Sequence, residues 1–197
     1  MKRLLLLPAA LLFVGCGEKN QTEDVGQPNQ ATPDSTPSEN NGAPESPPQK
    51  DDPSEAGAKA LVSEFLIPGA DHAKLSAALA PTPGDYGATF VGDAAAKAEA
   101  GYTQAWKDGQ MVLKPKAGQT ELLLWKATTE ELNAWTGDAK DYFPGGYREI
   151  ATHLKPGVTW YRFKFVEPGE TLGMAYDGLV CVNGRWTIFP KPWRVLR

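Results

Sequence analysis

Side chains that could carry out covalent chemistry are scarce in this sequence. It contains two cysteines, Cys16 and Cys181, and two histidines, His72 and His153. A thiolate with a histidine base would be a nucleophile, and His153 is the first candidate partner for Cys181, with His72 the second. Valines flank Cys181 on both sides. Since this pattern is typical of a strand interior, we interpret its thiol as a small core side chain.

Carboxylates offer a second kind of chemistry, because two of them need only proximity to act as general acid and base. Four candidate carboxylates each lie within three residues of an aromatic residue in the chain: Asp85, Asp93, Glu149 and Asp177. Each also fits a helix cap, a turn or a surface position, which is our interpretation. The sequence shows no nucleophile-elbow serine, phosphate-binding glycine loop or metal-ligand spacing. We therefore expect no enzyme activity, no cofactor and no metal site.

Tryptophans provide the remaining candidates, since all six follow residue 100. Tryptophan fills cores, but it also lines pockets and anchors interfaces. Trp160 falls on the polar side of an alternating strand pattern, and Trp193 follows the last predicted strand, so we expect both rings to be exposed. Basic residues lie near them in the sequence. The predicted aromatic–basic binding patch consists of Trp160, Arg162, Lys164, Arg185 and Trp193, with Arg194 beside it.

The N-terminus has the pattern of an export signal. Two basic residues precede an apolar run, Leu4–Val14, which is shorter than the roughly 20 residues that span a bilayer. The run leads into Gly15 and Cys16, and this ending resembles the lipobox of bacterial lipoproteins. The resemblance implies a signal peptide over 1–15 and a diacylglyceryl group on Cys16, which makes the lipid bilayer a partner of the chain.

The residue after the cysteine bears on the location within the envelope. Gly17 stands there rather than aspartate, which resembles lipoproteins sent to the outer membrane in enterobacteria-like systems. The resemblance therefore implies a bacterial cell-envelope protein, with the outer membrane facing the periplasm favoured. The alternative is an ordinary cleaved signal peptide with an incidental cysteine.

Residues 16–51 are predicted to be a disordered linker that carries the lipidated cysteine. The stretch from Gly17 to Ala56 has nine acidic and two basic residues, a net charge of −7. It is rich in proline and poor in large apolar side chains, so it cannot offset the entropy cost of ordering. A flexible chain of this length spans roughly 30–35 Å. From Gly57 onward, 15 acidic and 16 basic residues give a net charge of +1, and we expect no nucleic-acid partner.

The remainder, 52–197, is predicted to be a single α+β domain. Apolar residues at helical spacing predict helices that begin near residues 53, 71, 94, 129 and 147, with Asp52 as the cap of the first. A loop is predicted at 81–92, and a short hairpin is predicted from strands at 111–113 and 121–126.

The last forty residues predict a three-strand meander. Strands are predicted from Thr159 to Phe165, from Thr171 to Val182 and from Arg185 to Phe189. Asn183-Gly184 is a strong signal for a tight hairpin turn. Asp177-Gly178 predicts a bulge or a break in the middle strand.

Together these elements predict helices packed on one face of a curved antiparallel sheet that ends in the meander. Their order resembles the nuclear transport factor 2-like domains, and this implies a curved sheet around a pocket; the alternative is another two-layer α+β fold. We expect a membrane-tethered envelope lipoprotein with a small non-enzymatic domain that binds a ligand, an envelope protein or a glycan. The alternatives are a pocket enzyme with an aspartate or histidine general base, and a purely structural envelope component.

Overall fold

The computed structural model describes residues 52–197, which form the predicted α+β fold. Four strands make one antiparallel sheet in the order β1-β2-β3-β4. The strands are β1 (Glu121–Thr128), β2 (Thr159–Val166), β3 (Gly173–Val182) and β4 (Arg185–Ile188). The helices are α1 (Glu55–Ser63), α2 (His72–Ala78), α3 (Pro83–Thr89), α4 (Asp93–Lys107), α5 (Thr129–Ala134), α6 (Asp138–Tyr142), α7 (Gly146–Ile150) and α8 (Trp193–Leu196). Short 3-10 turns at Glu64–Leu66 and Ala151–His153 follow α1 and α7.

The predicted signal peptide, Cys16 and the predicted linker over 16–51 lie outside the described residues. Within residues 52–197, no helix is both long and apolar enough to cross a bilayer. The predicted limits of the signal peptide, the linker and the domain therefore stay predictions.

The predicted meander is confirmed in β2, β3 and β4. Asn183 and Gly184 have φ values of 53° and 71°, as a two-residue type I′ hairpin turn requires. Gly178 has a φ of 86°, and the register between β2 and β3 shifts at Tyr161/Arg162. A Cβ at position 178 would lie 2.0 Å from the carbonyl oxygen of Phe189. The bulge therefore needs glycine for both its backbone conformation and its space.

Both faces of β2 carry buried aromatic side chains. Tyr161, Phe163 and Phe165 lie in a core with α1 and α2, whereas Trp160 lies in a second core with residues of α3 to α8. The sequence predicts helices on one face of the sheet, but the structure has helices against both. The reason is that Val180, which pairs with Trp160, extends the apolar surface on the second face.

The predicted hairpin before β1 is wrong, because 111–113 does not form a strand. Leu113 N donates instead to Ser76 Oγ at 2.9 Å. The hydroxyl of Tyr176 accepts from Lys114 N at 3.0 Å and donates to the carbonyl oxygen of Lys114 at 2.9 Å. Side chains thus satisfy the backbone groups that a neighbouring strand would have paired.

The predicted loop at 81–92 is also wrong, because it contains α3. Thr82 and Asp85 form a capping box, in which Thr82 N donates to Asp85 Oδ2 at 2.8 Å. Pro83 occupies the start of the helix, where its missing N–H costs nothing.

Candidate functional site

A cavity of about 570 Å³, here named the α1–α2 groove, opens between α1, α2 and β4. Its volume lies within the range of small-molecule sites. The apolar lining consists of Leu61, Phe65, Ile67, Ala70, Leu75, Ala78, Leu79 and Trp186. The charged lining consists of Glu64, Asp71, Lys74 and Arg185. Since Ile67 is 58% exposed, an apolar surface continues from the groove to the solvent.

The turn between α1 and α2 positions two of the elements that line the groove. His72 Nε2 lies 2.9 Å from the carbonyl oxygen of Phe65, and the two rings stack with centroids 6.2 Å apart. Asp71 caps α2 by accepting from Lys74 N at 3.0 Å. These contacts fix the position of α2 relative to Phe65. His72, one of the two candidate bases for Cys181, therefore has a structural partner of its own. His153, the other candidate, is exposed at the end of its 3-10 turn.

Arg185, a predicted binding residue, lies at this groove but is bound to the fold. Its Nη1 forms an ion pair with Asp85, and its Nη2 donates to the carbonyl oxygens of Ala78 and Ala80, each at 3.2 Å. The guanidinium thus ties β4 to α3 and to the end of α2. It contributes charge to the groove, although most of its donors are already used.

Asp85 is fully buried and is the centre of this network. Its Oδ2 accepts from the backbone and hydroxyl of Thr82, each at 2.8 Å, and Asn183 Nδ2 donates to Oδ1 at 2.9 Å. Burial opposes ionisation, but these hydrogen bonds and the charge of Arg185 outweigh it and lower the pKa of Asp85. The sequence leaves a cap, a turn and a surface position open for Asp85, and the structure places it in the capping box of α3.

The two tryptophans of the predicted patch are not both on the surface. Trp160 is 0% exposed, and its Nε1 donates to Thr129 Oγ1 at 3.1 Å. Its ring lies between Phe90 and Tyr147, with centroid distances of 6.0 and 5.6 Å. The prediction that Trp160 is exposed is wrong, because helices cover the second face of the sheet. Trp193 is half-buried and packs on Tyr147 at 5.1 Å.

Arg162 and Lys164 lie together, but beside a different aromatic pair. Arg162 Cζ is 5.9 Å and Lys164 Nζ is 5.6 Å from the centre of the Trp125 ring. Trp125 stacks on Tyr142 with centroids 4.7 Å apart. Neither ring belongs to the patch predicted from the sequence, because the pairing of Trp125 with Arg162 depends on the register of β1 against β2.

Asp177 is the carboxylate with the environment closest to that of a catalytic group. It is 5% exposed and lines a cavity of about 410 Å³. Its Oδ1 accepts from Lys191 N at 2.9 Å and from the Tyr147 hydroxyl at 3.2 Å. Burial raises the pKa of Asp177, although these hydrogen bonds and the charges of Arg162 and Lys191 oppose the rise.

A third cavity, also of about 410 Å³, includes Cys181 and Tyr161 in its lining. Burial raises the pKa of Tyr161 to about 12, and its hydroxyl donates to the carbonyl oxygen of Pro53 at 3.2 Å.

Among residues 52–197, no cluster of three or more histidine, cysteine or acidic side chains is placed to hold a metal ion. Comparisons with protein families, curated proteins and solved structures found no match to this chain.

Proposed function

We propose that this protein is a bacterial envelope lipoprotein whose folded domain binds an apolar ligand, or an apolar segment of a partner protein, in the α1–α2 groove. The lipobox-like ending at Cys16 supports the anchor, and the residue after it favours the outer membrane facing the periplasm. The single observation that carries the binding function is the apolar lining of the groove together with the exposed Ile67.

The chemistry of the groove favours binding over catalysis. Two of its charged groups are engaged in structure, since Asp71 caps α2 and Arg185 pairs with Asp85. Apolar side chains provide affinity through burial, at about 0.8 kcal/mol per buried CH2 group.

The enzyme alternative has one specific observation in its favour. Asp177 combines burial, a raised pKa and a position beside a cavity, which are the properties of many general bases. However, its Oδ1 already accepts two hydrogen bonds that fix the chain after β4. We therefore assign Asp177 a structural role and keep the enzyme as the second candidate.

Replacing Cys16 with serine is expected to move the protein from the membrane fraction to the soluble fraction. Serine cannot accept the thioether-linked diacylglyceryl group, and a domain without acyl chains has no firm hold on a bilayer. Fractionation and intact-mass measurement of the expressed chain test this expectation. The matched control is Cys181→Ser, which removes the other thiol and should stay in the membrane with its acyl mass unchanged. Wild-type protein recovered without acyl mass would show that the anchor is absent.

Filling the groove is expected to weaken the binding of an uncharged apolar dye such as N-phenyl-1-naphthylamine. Ala78 is exposed and lines the groove, so an indole in Ala78→Trp occupies the apolar space without entering a core. If the dye buries less apolar surface in the filled groove, by an amount equal to about two CH2 groups, its binding becomes roughly tenfold weaker. Fluorescence titration of residues 17–197, which lack the acyl group, measures the dissociation constant.

The matched control for this test is Ala77→Trp. Ala77 is also exposed on α2, but it does not line the groove. The control should bind the dye within twofold of the unmodified protein. Equal losses in the two variants, or no binding at all, would contradict a ligand site in the groove.

A further inference from the structure

The sheet face that carries Trp160 is covered by helices only in part. The strand registers place Leu123, Lys164 and Ala175 side by side on this face, with Trp125 and Arg162 in the next row. These five residues are named the basic sheet surface. Ala175 is exposed and the other four are partly exposed, so this half of the face remains open to a partner.

Two positive charges are fixed on this surface by an aromatic ring. Arg162 and Lys164 both lie within 6 Å of the Trp125 centroid, which is the range of a cation–π interaction. Trp125 is itself held by Tyr142, whose ring is inclined to it by 20° and is 40% exposed. The surface therefore combines ordered cations with an accessible aromatic ring.

One donor of Arg162 has no partner in the described part of the chain. Its Nε is buried, and no acceptor lies within hydrogen-bond distance of it. Asp177 stands opposite Arg162 in the sheet and the two groups interact electrostatically, but the hydrogen bonds to Asp177 Oδ1 come from Tyr147 and Lys191. A buried donor without a partner is rare in folded proteins, and because Nε is closed to solvent, an anionic ligand would meet this guanidinium through its other nitrogens.

Further positive charge lies across β3. The cavity that Asp177 and Ala175 line also includes Lys191 and Arg194, both exposed. Asp177 is the only acid in that lining, and it is 5% exposed. The charges that face solvent here are therefore positive, although the domain as a whole is almost neutral.

We propose that the basic sheet surface binds an acidic glycan, with a sugar carboxylate at Arg162 and Lys164 and a sugar ring against Tyr142. A guanidinium presents a fork of donors that matches a carboxylate. The exposed face of Tyr142 is a flat apolar platform of the kind that sugar rings use. This site is separate from the α1–α2 groove, because the two lie on opposite faces of the sheet.

An anionic membrane surface fits this site less well than a discrete polymer does. The β2–β3 turn at the end of the surface carries Glu167 and Glu170, both exposed. Their charges would be repelled by anionic head groups over a distance of about 8–10 Å. A polymer chain can contact Arg162 and Lys164 without approaching that turn.

The test measures binding of polygalacturonate to the full-length protein held in neutral phosphatidylcholine nanodiscs. Saturable binding that weakens as salt rises is expected, with no binding of dextran, a neutral polymer. Arg162→Gln and Lys164→Gln are each expected to weaken the affinity about tenfold through loss of a charge-assisted hydrogen bond. Tyr142→Ala is expected to weaken it about threefold. Lys164 and Tyr142 lie outside both cores, so these two variants carry the test if Arg162→Gln does not fold.

The matched control is Lys126→Gln, which removes one positive charge from the opposite face of the sheet. Lys126 pairs with Glu55 at 2.9 Å, and its side chain is 51% exposed. It is expected to bind polygalacturonate within twofold of wild type. The proposal is overturned if no saturable binding is seen or if Lys126→Gln loses as much affinity as Lys164→Gln. Competition by phosphatidylglycerol vesicles, or equal binding of dextran, would overturn it as well.

Discussion

The Asp85→Ala variant is expected to unfold with a free energy about 3 kcal/mol lower than that of the wild type. Removing one partner of a buried ion pair costs about 3–5 kcal/mol, and the lower end applies because the Arg185 side chain is 34% exposed and keeps access to water. The variant also loses the cap of α3 and the bond from Asn183. Urea unfolding followed by tryptophan fluorescence measures the difference.

Asp93→Ala is the matched control for Asp85→Ala. Asp93 also lies in the first turn of a helix, but it is exposed. Its loss should cost less than about 1 kcal/mol, the usual size of a charge interaction with a helix dipole. If the two variants lost equal stability, the Asp85 network would not be the link between α3 and the β3–β4 hairpin.

The Asp85 network also gives the stability a dependence on pH. Because the folded pKa of Asp85 lies below its ordinary value of 3.8, its contribution is complete above that value and is lost as the pH falls through the folded pKa. The ionised carboxylate of Asp177 has the opposite effect on stability, because the folded pKa of Asp177 is raised. Its carboxylate lowers stability as the pH rises above 3.8, and this effect is complete above the folded pKa.

The Trp160→Ala variant is expected to lose about 3–5 kcal/mol of unfolding free energy, the usual cost of emptying a fully buried aromatic site. The ring packs against Phe90 and Tyr147, and its Nε1 donates to Thr129. Trp160→Phe should lose less, because it keeps part of the packing and gives up one hydrogen bond worth about 1 kcal/mol. Chemical denaturation at equilibrium measures both variants.

The phenylalanine variant also separates a core role for Trp160 from a ligand-binding role. Trp160→Phe should remain folded at 25 °C and bind both the apolar dye and polygalacturonate within twofold of wild type. Trp125→Ala is the contrast, since Trp125 is half-buried and supports Arg162 and Lys164. A loss of ligand affinity in folded Trp160→Phe would restore Trp160 to the binding patch.

The parts of the fold that follow from short-range signals could be predicted from the sequence. The Asn183-Gly184 turn and the bulge at Gly178 depend on residues that accept positive φ, and both are confirmed. The capping box of Thr82 and Asp85, with Pro83 at the start of the helix, is a local signal for α3, although 81–92 is predicted to be a loop. Here the cap and tertiary packing outweigh local propensity.

The parts that depend on distant contacts could not be predicted in this way. Leu113 is held by Ser76, which lies 37 residues earlier, so the sequence near Leu113 gives no sign that a strand is absent. Alternation along β2 assigns Trp160 to the face opposite Phe163, but it does not say whether helices cover that face. The α1–α2 groove arises only when β4 packs beside two helices from the start of the domain.

Both faces of β2 carry buried aromatic side chains, and this gives Arg162 and Lys164 a role in setting the register of the strand. A strand that slips by one residue exchanges its two faces, and where both faces are aromatic the exchange costs little. In β2 such a slip would push these two cations into the core that holds Phe163 and Phe165. The cost of burying charge therefore favours the correct register of β2 against β1. Leucines at both positions would remove this cost and would make the strand more prone to aggregate.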